Sequence, residues 1–482
     1  MTLTAINPAD GTELGRFEEA TGEQVSAAIE RAQSAFLEWR ERPLADRCEL
    51  LRSLAATLRA NKGELAREAT LEMGKILREA EGEVEKSAVF CEYYADNAER
   101  LLAPEVIEDG GAVENYVRYE PLGVVLAVMP WNFPYVQVFR FAPPTLVAGN
   151  VALLKHASNI PGCAVKIEAV FREAGFPEGV FQTLLVGSRA VEGILSDDRV
   201  RGVALTGSEA AGSEVAAAAG RNLKRSVMEL GGSDPFIVLE DADLDAAARA
   251  GCRGRNINAG QACIASKRFI VVDAVAHEFE KKLTDAVAAL EVGDPLEPAT
   301  DVGPLARPDL VDDLRRQVDE SVADGAVVAT GGFDVDRPGC FVRPIVMTGV
   351  TPDMAVFREE TFGPVAAVVR VSDANEAVAV ANDSDFGLGA SVWTSDLERG
   401  KQVASRVDSG MVFVNSIVFS DARLPFGGTK RSGYGRELGE YGIREFVDVK
   451  SVAVHSAGAQ PTVSASEKQN LTQVASLDTV GE

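Results

Sequence analysis

The sequence is poor in lysine and contains no long apolar run. Of its 48 basic residues 13 are lysine, while 73 acidic residues give a net charge of -25 over 482 residues. Nucleic acid and anionic membranes are bound by a basic face, so we expect neither as a partner. No apolar run reaches the length of about 18 residues that spans a bilayer, and no basic segment precedes an apolar one at the N-terminus. We therefore expect a cytoplasmic protein.

Metal-site, disulfide and common nucleotide-binding patterns are also missing. The cysteines lack the paired spacing of a metal site or a disulfide framework and are Cys48, Cys91, Cys163, Cys252, Cys263 and Cys340. Free thiols in a reducing compartment fit this distribution, and we expect no bound metal. The dinucleotide fingerprint G-x-G-x-x-G does not occur. The acidic, arginine-rich composition fits a salt-rich habitat, although a GC-rich genome explains the arginine bias equally well.

The length and the order of apolar segments predict an α/β protein with more than one domain. A chain of 482 residues is too long for one core, and 46% hydrophobic residues can fill a large interior. From 122 to 239, short apolar runs alternate with helical stretches, which predicts a parallel sheet covered on both faces. Upstream, residues 21–107 have the periodicity of amphipathic helices, for example at 22–40 and 44–61.

Polar residues or glycines follow each of the predicted parallel strands. The runs 123–129, 150–154, 181–186, 202–205 and 226–230 end at Asn132, Lys155, Gly187, Ser208 and Glu229, respectively. Ligands of open α/β sheets bind outside the carboxyl ends of strands, so these residues are predicted to line one crevice. Gly207 and Ser208 precede a helical stretch and can present N–H groups to a pyrophosphate. Ser208 as a simple helix cap explains that position equally well.

Two segments offer groups that could react with a carbonyl. Cys263 follows Gly260, Gln261 and Ala262, and Glu229 ends an apolar run. A thiolate is a good nucleophile toward carbonyls, and small neighbours let a substrate approach closely. Taken alone, a single cysteine is more often a buried apolar side chain.

Further segments occur in an order that resembles one enzyme family. They are Pro121–Val125, Pro130–Pro134, Lys155–Ser158, Leu205–Ser208 with Gly212, Glu229–Ser233, Gly260–Cys263, Glu360–Pro364 and Pro425–Gly428. Together they resemble the NAD(P)-dependent aldehyde dehydrogenases. The resemblance implies an α/β fold with two Rossmann-like domains and a small β oligomerisation arm.

The resemblance also divides the chain. It implies an NAD(P)-binding domain at 1–109 and 122–229, a catalytic domain at 230–445, and oligomerisation strands at 110–121 and 446–455. In the family such strands pair between subunits, so we expect a homodimer or homotetramer. Residues 456–482 extend past the usual end of the fold without clear periodicity, and we expect them to be mobile.

The same resemblance assigns catalytic roles. Cys263 is expected to be the nucleophile, and the oxyanion is expected to be held by the Asn132 side chain and the backbone N–H of Cys263. Glu229 is expected to activate the water that hydrolyses the thioester. Relatives that pass the acyl group to coenzyme A generally lack this Glu, and a non-catalytic relative would have lost the nucleophile or the base.

The resemblance also assigns cofactor-binding residues, by their positions in the matching segments. The resemblance places Trp131, Lys155, Ser158, Gly207 and Ser208 at the adenosine and phosphates, Glu360 and Phe362 at the nicotinamide ribose and ring, and the Leu230 carbonyl near the carboxamide. Ser158 stands where NAD-preferring relatives carry a Glu that binds the ribose hydroxyls. A hydroxyl can donate to a 2′-phosphate that a carboxylate would repel. We expect NADP to be accepted, with NAD left open.

Substrate choice depends on two residues. Arg140 stands where relatives acting on simple aldehydes commonly carry an apolar residue, and Ser420 could add a hydrogen bond. A cation there favours an acid-bearing aldehyde, and the motifs are most similar to those of bacterial succinate-semialdehyde dehydrogenases. Another acid-bearing or aliphatic aldehyde is the alternative, and Arg140 could instead pair with a buried acid.

Overall fold

The computed structural model describes residues 2–107 and 114–457. Its strands are β1 (Thr2–Ile6), β2 (Glu13–Glu18), β3 (Glu105–Val106), β4 (Glu114–Pro121), β5 (Val124–Val128), β6 (Val151–Lys155), β7 (Phe181–Thr183), β8 (Val200–Thr206), β9 (Arg225–Glu229), β10 (Asp234–Val238), β11 (Ser266–Val272), β12 (Val327–Gly332), β13 (Arg343–Thr348), β14 (Val365–Val371), β15 (Phe386–Gly387), β16 (Gly389–Trp393), β17 (Met411–Val414), β18 (Thr429–Lys430), β19 (Gly433–Tyr434) and β20 (Val447–Val454). Its helices are α1 (Gly22–Trp39), α2 (Leu44–Ala60), α3 (Lys62–Met73), α4 (Leu77–Leu101), α5 (Val136–Val147), α6 (Pro161–Glu173), α7 (Ala190–Ser196), α8 (Glu209–Arg221), α9 (Leu244–Asn256), α10 (Asp273–Ala288), α11 (Pro308–Ala323), α12 (Ala355–Arg358), α13 (Ala374–Asn382), α14 (Leu397–Ala404) and α15 (Gly439–Arg444), with a 3₁₀ turn at Ile257–Gly260.

The predicted parallel sheet is present between β5 and β9. Its order is β19-β9-β8-β5-β6-β7, and all neighbours are parallel except β19, which pairs antiparallel with β9. The first four residues of β5 are fully buried, because α1 and α5 contact the sheet. Continuous apolar runs are typical of strands covered on both faces, so the α/β fold class is confirmed.

A second sheet follows in the chain. Its order is β12-β13-β14-β11-β10-β16-β17, with β12 antiparallel to β13 and the other pairs parallel. Alternate residues of β10 enter different apolar clusters: Phe236 and Val238 pack on one face, Ile237 on the other. This alternation follows from the two-residue side-chain period of a strand and shows that helices cover both faces here too.

The predicted helices at 22–40 and 44–61 correspond to α1 and α2. A capping box starts α1: the Thr21 hydroxyl accepts from Gln24 N at 3.2 Å and the Gln24 side chain accepts from Thr21 N at 2.8 Å. No helix within the described residues is both long and apolar enough to cross a membrane.

A small antiparallel sheet lies apart from the two large ones. Its order is β20-β4-β3, and β20 pairs with β4 along its whole length, from Val447 opposite Pro121 to Val454 opposite Glu114. Most residues of β20 are exposed. Strands therefore form where the oligomerisation arm was predicted, while pairing between subunits stays a prediction. Apart from its first two residues, the tail predicted at 456–482 lies outside the described residues.

Late segments of the chain return to the first sheet. Gly433 of β19 pairs with Glu229 at the end of β9. The last part of the region assigned to the catalytic domain, 230–445, thus extends the first sheet. The domain limits themselves stay a prediction.

Candidate active site

The carboxyl ends of the parallel strands align several predicted site residues. The strand register sets Val128 opposite Lys155 and Leu205, and Thr206 opposite Glu229. Because parallel strands end at one edge, Lys155, Gly207 and Glu229 lie along that edge, with β5 between Lys155 and Gly207. Gly207 N also donates to Glu229 O at 3.0 Å.

The predicted nucleophile, Cys263, follows a turn with an unusual backbone. Asn258 and Ala259 both have φ of 53°, and Gly260 has φ of 77°. Two consecutive non-glycine residues in the left-handed region are costly and persist only where surrounding contacts hold them. Asn258 Nδ2 donates to Asn132 O at 2.7 Å, and Arg255 Nη2 donates to Gly260 O at 2.7 Å. These bonds fix the turn that leads to Cys263.

Asn132 is held beside that turn. Its side chain is 4% exposed, and its Nδ2 donates to Gln261 O at 3.0 Å. An amide nitrogen carries two N–H donors. The second donor of Asn132 is therefore available to a substrate oxygen close to the nucleophile loop.

A buried cation, Lys267 on β11, holds the backbone around the predicted nucleophile Cys263. Lys267 Nζ donates to Ala262 O at 3.0 Å and to Cys263 O at 2.7 Å, and it lies 3.3 Å from Glu360 Oε1. Burial raises the pKa of Cys263 to about 12, opposed by the charges of Arg140 and Lys267. The resting thiol is protonated at neutral pH and must lose a proton before it attacks. Sequence reasoning missed Lys267, for which the available signal was a lysine in an otherwise buried strand.

The Glu229 carboxyl group is enclosed. It is 2% exposed, and neither oxygen has a hydrogen bond within the described residues. Gly427, whose φ of 153° favours glycine, lies against this group, and a Cβ there would lie 2.5 Å from Oε1. Burial raises the pKa of Glu229 well above its usual range, helped by the nearby Glu437 carboxyl and opposed by Arg140 and Arg436. The buried environment therefore favours the protonated form of this carboxyl group.

A cavity of about 730 Å³ contains the predicted nucleophile and both predicted substrate residues. Cys263, Arg140 and Ser420 line it, together with Phe133 and Phe426. The apolar walls and few polar groups are typical of a small-molecule site.

Arg140 has a counter-ion inside the protein. Its Nε lies 2.6 Å from Glu437 Oε2, its Nη2 donates to Gln137, and its guanidinium lies 4.0 Å from the centre of the Phe426 ring. The alternative expectation, that Arg140 pairs with a buried acid, therefore describes the contact seen in the structure. Arg140 nevertheless faces the cavity, so its contact with substrate stays a prediction.

The residues predicted for the adenosine end divide between a strand end and a cavity. Lys155 is 7% exposed and has no ion pair among residues 2–107 and 114–457. Ser158 lines a second cavity, of about 790 Å³, with Gly187 and Arg189. Ser208 caps α8 by accepting from Ala211 N at 3.4 Å. Sequence reasoning missed Arg189, which carries no recognisable motif.

Of the residues predicted for the nicotinamide end, Phe362 contacts Trp131, while Glu360 and Leu230 bond to backbone groups elsewhere. The Trp131 and Phe362 rings meet edge to face with centroids 5.7 Å apart. Glu360 accepts from Gly232 N at 3.0 Å, and Leu230 N donates to Ser432 O at 3.0 Å. No cluster of three metal-ligating side chains occurs in the part of the chain that the structure describes.

The chain is similar along most of its length to known enzymes. The sequence pattern of the aldehyde dehydrogenase family matches residues 1–452. A Synechocystis protein named probable succinate-semialdehyde dehydrogenase (NADP+) is 50% identical over 452 residues, covering 94% of this chain and 99% of that protein. Succinate-semialdehyde dehydrogenase (NADP+) 1 of Mycobacterium tuberculosis is 50% identical over 454 residues, with the same shares. The crystal structure of the Streptococcus pyogenes succinic semialdehyde dehydrogenase with NADP+ has a TM-score of 0.92 and 39% identity, covering 94% of this chain and 100% of that one.

Proposed function

The chain belongs to the aldehyde dehydrogenase family, and from that premise we propose that it oxidises succinate semialdehyde to succinate with NADP+. The observation that carries the proposal is one cavity that joins Cys263 to the cation Arg140 and the hydroxyl of Ser420. The Cys263 thiol can react with an aldehyde group, while Arg140 and Ser420 in the same cavity can bind a carboxylate at the far end of the same substrate. The relatives named above support the same substrate and cofactor.

The chemistry proceeds through a covalent acyl-enzyme. Cys263 Sγ, after losing its proton, attacks the aldehyde carbon, and the resulting oxyanion accepts from Asn132 Nδ2 and Cys263 N. When bound, NADP+ supplies the hydride acceptor. The tetrahedral adduct loses hydride and becomes a thioester on Cys263. Glu229, once ionised, takes a proton from the water that attacks the thioester, which releases succinate and restores the thiol.

The chain's own residues fit a phosphorylated dinucleotide. Lys155 is a buried cation that lacks a counter-ion within the described residues, and an anionic ligand compensates such a charge. Ser158 and Arg189 share a cavity and can donate to a 2′-phosphate, although Glu19 also lines it. The hydroxyl and guanidinium support NADP+ over NAD+.

Replacing Ser158 with glutamate is expected to raise the KM for NADP+ far more than the KM for NAD+. The new carboxylate stands beside the 2′-phosphate and repels it, so discrimination changes through repulsion as much as attraction. Initial rates with each cofactor measure the ratio. Ser158→Ala, which removes the hydroxyl without adding charge, is the matched control and should shift the ratio less. An unchanged ratio in Ser158→Glu would place the 2′-phosphate elsewhere.

Replacing Arg140 with leucine is expected to lower kcat/KM for succinate semialdehyde about 10- to 150-fold relative to butanal, the cost of one charge-assisted contact. Butanal has similar length and no carboxylate. Because the substitution leaves Glu437 buried without its partner, the double variant Arg140→Leu/Glu437→Gln is the matched control for folding. Equal losses for both aldehydes in both variants would return Arg140 to a structural role.

The wild-type enzyme itself tests the proposal. Formation of reduced cofactor, followed by absorbance with a panel of aldehydes and both cofactors, should show the highest kcat/KM for succinate semialdehyde with NADP+. Another acid-bearing or uncharged aldehyde as the best substrate would replace the proposed one. A requirement for coenzyme A would replace hydrolysis with acyl transfer.

A further inference from the structure

One face of α4 forms part of the wall of the active-site cavity. Glu79, Gly82, Glu83 and Lys86 all line it, at the spacing of three and four residues that places side chains on one side of a helix. A Cβ on Gly82 would have nothing within 4 Å, so the glycine leaves open space at the wall. The charged residues of this face therefore adjoin the space that a substrate would enter.

Several charged groups that line the cavity are compensated within the protein, whereas Arg249 and Arg253 on α9 are exposed and have no ion pair in the part of the chain that the structure describes. Glu83 pairs with Lys75, and Arg140 pairs with Glu437. Glu79 accepts from Asn258 N at 2.9 Å, and burial raises its pKa to about 7. Arg78, toward the outside, lies 2.8 Å from Asp301. These groups contribute little net positive charge to the cavity.

Lys86 is different. Its ammonium has no ion pair and no hydrogen bond within residues 2–107 and 114–457. Burial lowers the pKa of Lys86 to about 8, with a further contribution from the Arg140 charge. Glu83 and Asp421 oppose that shift, but Asp421 lies 2.6 Å from Arg423 and Glu83 is paired with Lys75. A partly buried cation without a counter-ion is costly unless a ligand supplies one.

We propose that Lys86 is a further substrate-binding residue, whose ammonium binds the distal carboxylate of the substrate together with Arg140. In this arrangement Glu437 neutralises the charge of Arg140, so Lys86 provides the net positive charge that attracts the carboxylate. The remaining N–H groups of Arg140 orient the carboxylate. The inference depends on the proposed function, because it assumes a substrate with a carboxylate.

The first experiment compares two substrates in four proteins. In Lys86→Met, which keeps the length and removes the charge, kcat/KM for succinate semialdehyde relative to butanal should fall about tenfold or more, the size of a lost charge-assisted contact. Lys86→Arg should retain most of the wild-type ratio. Lys281→Met removes the same charge from an exposed position of α10 and should leave the ratio unchanged.

A pH profile supplies a second readout, which a structural role would not move. The wild-type ratio of efficiencies should decline as pH rises through about 8, because Lys86 loses its proton there. Taking the ratio cancels the titration of Cys263 and Glu229, which affects both aldehydes. The decline should vanish in Lys86→Met and move to higher pH in Lys86→Arg.

The outcomes separate the inference from the function it depends on. A wild-type enzyme that prefers succinate semialdehyde, with an unchanged ratio in Lys86→Met, would overturn the role of Lys86 alone. A wild-type enzyme without that preference would overturn the proposed function and this inference together. If Lys86→Met does not fold, the wild-type pH profile decides, and a flat ratio through pH 8 overturns the inference.

Discussion

Replacing Cys263 with alanine is expected to abolish aldehyde oxidation while leaving cofactor binding nearly intact. The thiol is expected to make the first bond to the substrate, and the groups that contact this loop, which are amides, cations and the Glu79 carboxyl group, are weaker nucleophiles toward a carbonyl. The substitution removes one sulfur atom and none of the hydrogen bonds that hold the turn. Steady-state rates measure activity, and a titration with NADP+ measures binding.

Cys252 offers a matched control for this experiment. It lines the same cavity, and its Sγ lies 3.9 Å from Asn256 Nδ2. Cys252→Ala removes the same atom from the same cavity and should keep most of the activity. Activity above a few per cent of wild type in Cys263→Ala would remove Cys263 from the mechanism.

The parallel sheet could be predicted because its strands are buried on both faces. Continuous apolar runs such as Val151–Leu154 are the local signature of that burial, and the predicted run 150–154 differs from β6 by one residue at each end. The strand ends then located Lys155 and Glu229 at one edge. The apolar runs alone were therefore enough to place these two residues at one edge of the sheet.

Other parts of the site depend on contacts between distant segments. Arg140 and Glu437 are far apart in the chain, and no local pattern encodes their ion pair. The left-handed turn at Asn258 is imposed by hydrogen bonds to Asn132 and its neighbours, against the residue's ordinary preference. The role of Lys267 could not be predicted either, because its partners are carbonyl groups that come into place only when the loop folds.

Replacing Glu229 with glutamine is expected to preserve the first hydride transfer and to slow turnover about 10²- to 10⁴-fold, the usual contribution of a general base. The amide cannot accept a proton from water, so the thioester on Cys263 should accumulate. A burst of reduced cofactor followed by a slow steady rate would record this, and mass spectrometry would detect the acyl group. The variant should fold, because glutamine has nearly the same shape as the buried carboxyl group and burial already disfavours the charged form.

The pH dependence of that variant tests the role of Glu229 further. Because the folded protein raises the pKa of Glu229, the ionised base becomes more abundant as pH rises through that raised pKa. Deacylation in the wild type should therefore accelerate with pH, whereas deacylation in Glu229→Gln should lack that increase. Glu445, a nearby carboxyl that accepts from Arg436 N at 2.7 Å, gives the control Glu445→Gln, in which both the rate and its pH dependence should persist. If steady-state rate and acyl-enzyme lifetime in Glu229→Gln both match wild type, another group must activate the water.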